Sequence, residues 1–416
     1  MNDCDSFTEW RDWAPGVLSA RQVKQLCGAL WITGPTKPAQ FDLSSMDLTV
    51  GAEMWEMPQG AVKPRRKSRD DNADFIDWLK ERRLVVLESE RLQERRTLER
   101  RTTYLVALRE RLEDRVALWD ADIHGQATAK SSIGRLDVLA RLVVDGATEY
   151  EGFTPECLRY SSGSLYLEVT PLTFDIELAE GDSLSQLRLF KGAPETSRLR
   201  DESISARVLS GTTDHSLSVS LDPDSELEGN PSAFVAEGSN GRVVVDLGKK
   251  GKQGVDPTTA WDLQKANRKP ESDDGKNRER DDGELFLKIE QNRFYILRSV
   301  ERITLPSDIA VYCRAIDEAI GEMRIHYAGF VHPRFGIDGK DSQKAWGTPL
   351  IFEVRGHDVP VTLRHGERLA RLEFYRMSEP CAAGSGSEYS DQELKLSKHF
   401  ADWPKEQSND QSDEVE

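Results

Sequence analysis

The sequence is poor in the features that most often announce a chemistry. Its five cysteines, Cys4, Cys27, Cys157, Cys313 and Cys381, are scattered, and no two stand at C-x-x-C spacing. Neither a disulfide framework nor a zinc site is therefore expected. The zinc-dependent nucleobase deaminases carry H-x-E followed by P-C-x-x-C, and that joint signature is absent. No run approaches ~18 consecutive apolar residues, and the opening MNDCDSFTEWRDW lacks the basic-then-apolar order of a signal peptide. These absences point to a cytoplasmic protein with no membrane partner. Basic residues are also in deficit: 56 Lys and Arg face 73 Asp and Glu, for a net charge of −17. A nucleic acid needs a concentrated basic surface and is not an expected partner, whereas a single nucleotide needs only a few local Arg or Lys.

At 416 residues the chain exceeds one ordinary core, so two domains are expected. Ser19 to Gln22 forms an S-x-x-Q capping box ahead of Val23, Leu26, Cys27 and Leu30 at helical spacing, which predicts a short helix. Met46, Leu48 and Val50 alternate with Asp47 and Thr49 as in a half-buried strand. From about 65 to 101 the chain is rich in Glu, Arg and Leu and reads as a solvated helix or helical hairpin inserted in the first domain. Residues 103–108, 165–169 and 174–178 are short strands bounded by turn residues, as in a sandwich or barrel. Residues 248–283 are polar and read as an exposed, partly disordered loop, and 401–416 as a loose acidic tail.

What is present in quantity is self-similarity. Residues 165–187 lie over 350–372 without a gap, with Leu165/Leu350, Glu168/Glu353, Val169/Val354, Leu178/Leu363, Gly181/Gly366, Leu184/Leu369 and Leu187/Leu372 identical. Upstream, Tyr104 with Glu110 and Arg111 echoes Tyr295 with Glu301 and Arg302, and Ile133-Gly134 echoes Ile320-Gly321. Three matches in one order identify an internal duplication with a different insertion in each copy. The copies are placed at 1–205 and 206–400. Strand alternation puts Leu165, Leu167 and Val169 on a core face, with Leu350, Phe352 and Val354 their counterparts, and turns Glu168 and Glu353 the other way. A mid-strand carboxylate among large apolar residues suits a face that lines a cleft or an interface.

Several strings also match a known family. They are residues 16–22 (GVLSARQ), 44–48 (SSMDL) and 130–137 (KSSIGRLD) in the first half, and 321–330 (GEMRIHYAGF), 352–355 (FEVR) and 392–400 (QELKLSKHF) in the second. With them the chain resembles the bacterial dCTP deaminases of the fused, two-copy type, in the dUTPase-like superfamily, over about residues 16 to 400. The resemblance implies a mainly β fold: two dUTPase-like β-barrel (β-clip) domains, with a charged helical insertion in the first. It implies hydrolysis of dCTP to dUTP and ammonia, magnesium carried by the substrate's triphosphate, and assembly into a homo-oligomer. It places the site between barrels, where one gives S-S-x-x-R, another the glutamate, and a C-terminal segment closes over the phosphates. The chemistry suits those residues. Attack of water on C4, protonation of N3 and loss of ammonia can be served by one carboxylate that is partly desolvated.

The two copies are not equivalent. Where the first has Ser131, Ser132 and Arg135, the second has Glu318, Ala319 and Glu322. It has lost both hydroxyls and reversed a charge, yet it keeps Glu353 and the 392–400 segment. The expected site is therefore composite: Lys130, Ser131, Ser132 and Arg135 from the first half, Glu353 as base from the second, and Gln392, Lys395, Ser397 and Lys398 over the phosphates. Glu168 from the first copy of another chain is the competing base. Two departures from the family pattern bear on substrate preference and rate. His332-Pro333-Arg334-Phe335 replaces D-P-G-F, and Glu393 replaces a usual glycine. His326, His357 and His365 read as structural or surface residues. Beside a plain deaminase stand a bifunctional enzyme that carries dUTP on to dUMP and a catalytically silent, nucleotide-binding regulator.

Overall fold

The computed structural model describes residues 7–404 apart from 36, 72, 202, 211–213, 225–226, 228, 237–241, 269–283, 317–322, 327–328, 338–346 and 383–391. The first half is two antiparallel sheets whose apolar faces share one core. One sheet runs Gly152–Phe153, Ile123–Ala129, Ser185–Lys191, Ser45–Leu48, Phe41–Asp42; the other runs Val138–Val144, Ser164–Pro171, Tyr104–Leu112, Val50–Glu56, Glu90–Arg91. The predicted strand at 46–50 is the corner between them, ending at Leu48 in the first sheet and resuming at Val50 in the second. The predicted helix forms at Ala20–Gly28. Ser19 Oγ accepts from Gln22 N and Gln22 Oε1 accepts from Ser19 N, which satisfies two end donors.

The second half repeats the plan around Phe294–Ile303, which pairs with Thr348–Gly356, Ser216–Ser220 and Ala233–Ala236, and its core is a separate cluster. Duplication extends to individual bonds. Tyr104 Oη accepts from Glu99 N at 3.1 Å, and Tyr295 Oη accepts from Glu290 N at 3.0 Å. Glu110 accepts from Thr49 N at 2.8 Å, as Glu301 does from Ser218 N at 2.7 Å. Glu168 lies opposite Leu105, and Glu353 opposite Ile296, in the same register. At Tyr104, Glu110, Tyr295 and Glu301 the repeated hydroxyl or carboxylate completes a backbone N–H that the sheets leave over.

Two regions differ from their sequence reading. The charged stretch at 65–101 is helical only over Phe75–Glu81, with strands at Glu90–Arg91 and Arg96–Leu98. It is not a solvated helix. Phe75, Ile76 and Leu79 pack with Trp55, Leu105, Val143 and Tyr166 on the outer face of the first-half sheet. Asp74 accepts from Tyr166 Oη at 2.7 Å and Ser164 Oγ at 2.8 Å, and Lys67 meets Asp145 at 3.0 Å in a buried pair. Charge on the rest of the segment masks three apolar residues that share one helical face. Second, the polar stretch from 248 is folded as far as 268. Trp261 is fully buried among Phe174, Phe234, Phe294 and Phe400. The remainder, 269–283, and the tail from 405 lie outside the described residues.

The halves interlock. Val244–Asp246 runs parallel to Asp175–Leu178, and Leu394, Leu396 and Phe400 of the C-terminal segment join the first-half core. Among the described residues no helix is long and apolar enough to cross a membrane.

Candidate active site

A cavity of about 530 Å³ is lined by both halves, within the ~300–1,000 Å³ usual for small-molecule sites. Among the described residues its wall carries seven cations (Lys37, Arg109, Lys130, Arg135, Lys250, Arg314 and Lys398) against the carboxylates Asp42, Asp47 and Glu353. In a chain of net charge −17, this local excess suits a compact polyanion.

Glu353 enters the cavity from Thr348–Gly356, because its neighbours Phe352 and Val354 turn into the second-half core. It is 5% exposed. Burial pushes its carboxyl up to about 8, with Arg135 pulling the other way. Arg135 follows the short helix Ser131–Gly134 and is also buried, its Nε 3.9 Å from Glu353 Oε1. That is an ion pair too long for a direct hydrogen bond. The far side of the guanidinium is held by the C-terminal segment: Nη2 donates to Gln392 Oε1 at 2.8 Å, and Nη1 to the carbonyls of Lys395 at 3.2 Å and Leu396 at 3.5 Å.

A second tie joins the same turn to the same strand. Asp137, two residues after Arg135, accepts from Arg355 at 2.5 Å and from Arg324 at 3.1 Å, and Arg355 stands two residues after Glu353. His326 lines the cavity, with its ring nitrogen 2.9 Å from the carbonyl of Val138; burial, with help from Arg324, depresses it to about 3. The ring is therefore neutral, and its Nε2–H is the donor.

The other expected residues divide. Lys130, Ser131, Ser132, Gln392 and Lys398 line the cavity, and Lys130 pairs with Asp47. Ser397 does not line it but is buried behind the wall, donating to the carbonyl of Ser132 at 2.6 Å. Lys395 has an exposed side chain and contributes its carbonyl. Glu168 lies outside the cavity, its carboxylate taking bonds from Val62 N at 3.1 Å, Tyr150 Oη at 2.8 Å and Arg141. Val62 belongs to the insertion side of the sheet, so what the cavity leaves open at Glu353 is covered at Glu168. Glu151 is likewise pushed up to about 8 by burial but does not line the cavity; a raised carboxyl alone does not mark the site. Glu318, Ala319 and Glu322 fall outside the described residues.

Both departures from the family pattern have a physical account. Arg334 takes φ +66°, the left-handed conformation that glycine adopts freely. The turn is thus retained at a cost of about 1–2 kcal/mol. Glu393 faces away from the cavity, toward Arg298 and Arg302. Sequence reasoning missed Asp137, Lys37, Arg109, Arg314 and Lys250. Asp137 closes the quoted KSSIGRLD string, and Lys250 sits in the run GKKGK, which reads as solvent loop until Gly251 N is seen to bond the carbonyl of Lys398 at 2.9 Å.

Among curated proteins no sequence matches significantly. Among solved structures, the crystal structure of 2'-deoxycytidine 5'-triphosphate deaminase from Agrobacterium tumefaciens is similar, with a TM-score of 0.71 and 28% identity over 88% of this chain and 99% of that one. The family model of the 2'-deoxycytidine 5'-triphosphate deaminase (DCD) N-terminal domain matches residues 14–193, and that of the DCD C-terminal domain matches residues 239–400. With both domain models matched in order across most of its length, the chain belongs to the 2'-deoxycytidine 5'-triphosphate deaminase family.

Proposed function

We propose that this dCTP deaminase activates water with Glu353, in a composite site whose other half is Ser131, Ser132 and Arg135 of the same chain. The observation that carries the reading is the 3.9 Å gap between Arg135 Nε and Glu353 Oε1 inside a cationic cavity. A spacing of that size suits a bridging water. The ionised carboxylate takes a proton from that water as oxygen bonds to C4 of cytosine, then delivers it to N3. A second transfer to the exocyclic nitrogen releases ammonia and leaves the C4 carbonyl. Arg135 orients the water and stabilises charge that develops near C4. Proton relay of this kind contributes about 10²–10⁴ in rate.

The triphosphate is assigned to Ser131, Ser132, Lys130 and Lys398, joined by Lys250. Gln392, Lys395 and Ser397 act from behind, holding Arg135 and Ser132. Magnesium arriving on the triphosphate supplies charge neutralisation. Among the described residues no three His, Cys, Asp or Glu are grouped to hold a metal, while Asp42 and Asp47 line the cavity. That donor set fits an ion that keeps its waters and binds mainly through phosphate. A homo-oligomer, on the family resemblance, and a cytoplasmic location, on the sequence pattern, complete the reading.

Glu168 is assigned a structural role, since its oxygens are occupied by Arg141, Tyr150 and Val62. Purified protein with dCTP and magnesium is expected to release ammonia and dUTP in equal amounts without pyrophosphate. Glu168→Gln is expected to keep turnover near wild type while lowering the melting temperature. Loss of turnover in that variant would move the base to the first copy, and pyrophosphate release would make the enzyme bifunctional.

A further inference from the structure

Glu393 stands where the family pattern has a glycine, and its surroundings give it a task. Its Oε2 accepts from Arg298 Nη1 at 2.8 Å and its Oε1 from Arg302 Nη2 at 2.5 Å. Both arginines are on Phe294–Ile303, the strand hydrogen-bonded to the one that carries Glu353. Arg298 also meets Asp224 at 3.2 Å, and Asp224 accepts from Leu394 N at 3.0 Å, so residues 393 and 394 are both tied to the second half. The residue before them, Gln392, grips Arg135 of the first half, and the carbonyls of residues 395 and 396 grip it again. Leu394 and Leu396 are meanwhile buried in the first-half core.

We propose that Glu393 is a positioning residue that latches the C-terminal segment to the sheet bearing Glu353, and through Gln392 sets the guanidinium of Arg135 against that carboxylate. A glycine at 393 could supply neither bond, and the segment's side-chain link to Arg298 and Arg302 would be lost, leaving Leu394 N on Asp224 as its tie at this point. In this chain the segment is a fixed wall of the site. The two arginines that secure it and the base it serves are carried by paired strands, so one sheet defines both ends of the Arg135–Glu353 pair. This rests on Glu353 being the base.

The test is the pH dependence of kcat/KM for dCTP in Glu393→Ala and Glu393→Gln, beside hydrogen exchange of the amides at 392–400. Arg298 keeps Asp224 in both variants, so both are expected to fold; Glu393→Gln retains one acceptor and is expected to be intermediate. With the latch cut, the 392–400 amides exchange faster and kcat/KM falls about 10–100-fold, the size of effect an ångström-scale misplacement produces. The limb that reports the base moves to higher pH by about one unit, because a receding Arg135 no longer favours the carboxylate. A lower melting temperature with an unmoved limb overturns the proposal, since it describes a merely structural bond, and so does a variant indistinguishable from wild type. Either failure leaves the assignment of Glu353 to be judged by its own substitution.

Discussion

Glu353→Gln is expected to lower kcat for dCTP by about 10²–10⁴, the usual contribution of a positioned acid–base group. Glutamine keeps the shape of the side chain and can still accept a bond from Arg135 or a water, but it cannot take a proton. The guanidinium retains Gln392 and the carbonyls of Lys395 and Leu396, so the cavity is expected to keep its form. Binding should therefore survive: calorimetry with dCTP gives an affinity within a few-fold of wild type, while ammonia release is nearly lost. The variant also removes, among the described residues, the one cavity carboxylate that burial pushes up to about 8, so what activity remains should no longer vary with pH through that range. Turnover that persists in Glu353→Gln removes this residue from the chemistry.

Arg135→Gln is expected to cost about 10²–10³ in kcat, the penalty for losing one preorganised donor at a site of developing charge. Two causes add. The proposed water would lose its second anchor, and Glu353 would lose the neighbouring positive charge that opposes burial, so less of it would be ionised at neutral pH. The same change strips a donor from Gln392 and from two backbone carbonyls. Breaking a buried pair costs at most about 3–5 kcal/mol. Thermal melting should fall together with activity. Arg135→Lys separates the causes, because it keeps a charge but cannot face Glu353 and fork onto the C-terminal segment at once. It is expected to return part of the pH profile and little of the stability. A Gln variant with wild-type kcat would place Arg135 among structural residues only.

Much of this site is legible in the repeat. Laying 165–187 over 350–372 puts Glu168 and Glu353 on the face away from the core, and both halves hold them there, opposite Leu105 and Ile296. Which of the two meets a cavity is not in the pattern, because that depends on what covers the face. At Glu353 it is Arg135 from the other half, a contact between distant parts of the chain. At Glu168 it is Val62 and Tyr150. The insertion misled through composition: its charges outnumber the residues that bury, yet Phe75, Ile76, Leu79, Val85, Leu92 and Leu98 all pack into apolar clusters. The same holds for the stretch from 248, where one tryptophan at 261 anchors an otherwise polar run. The C-terminal lysines and serine read as phosphate ligands from their chemistry alone. Only when Arg135 is seen to need acceptors does the role of Gln392, and of the carbonyls at 395 and 396, become plain.

The relay through a desolvated carboxylate is tested most directly by the pH dependence of kcat/KM for dCTP in the wild-type enzyme, which reports groups of the free protein. The rate should climb with rising pH through a single limb near 8, where burial places Glu353. A limb in the ordinary carboxylate range, about 4–5, with a flat rate from there to pH 9, would contradict it.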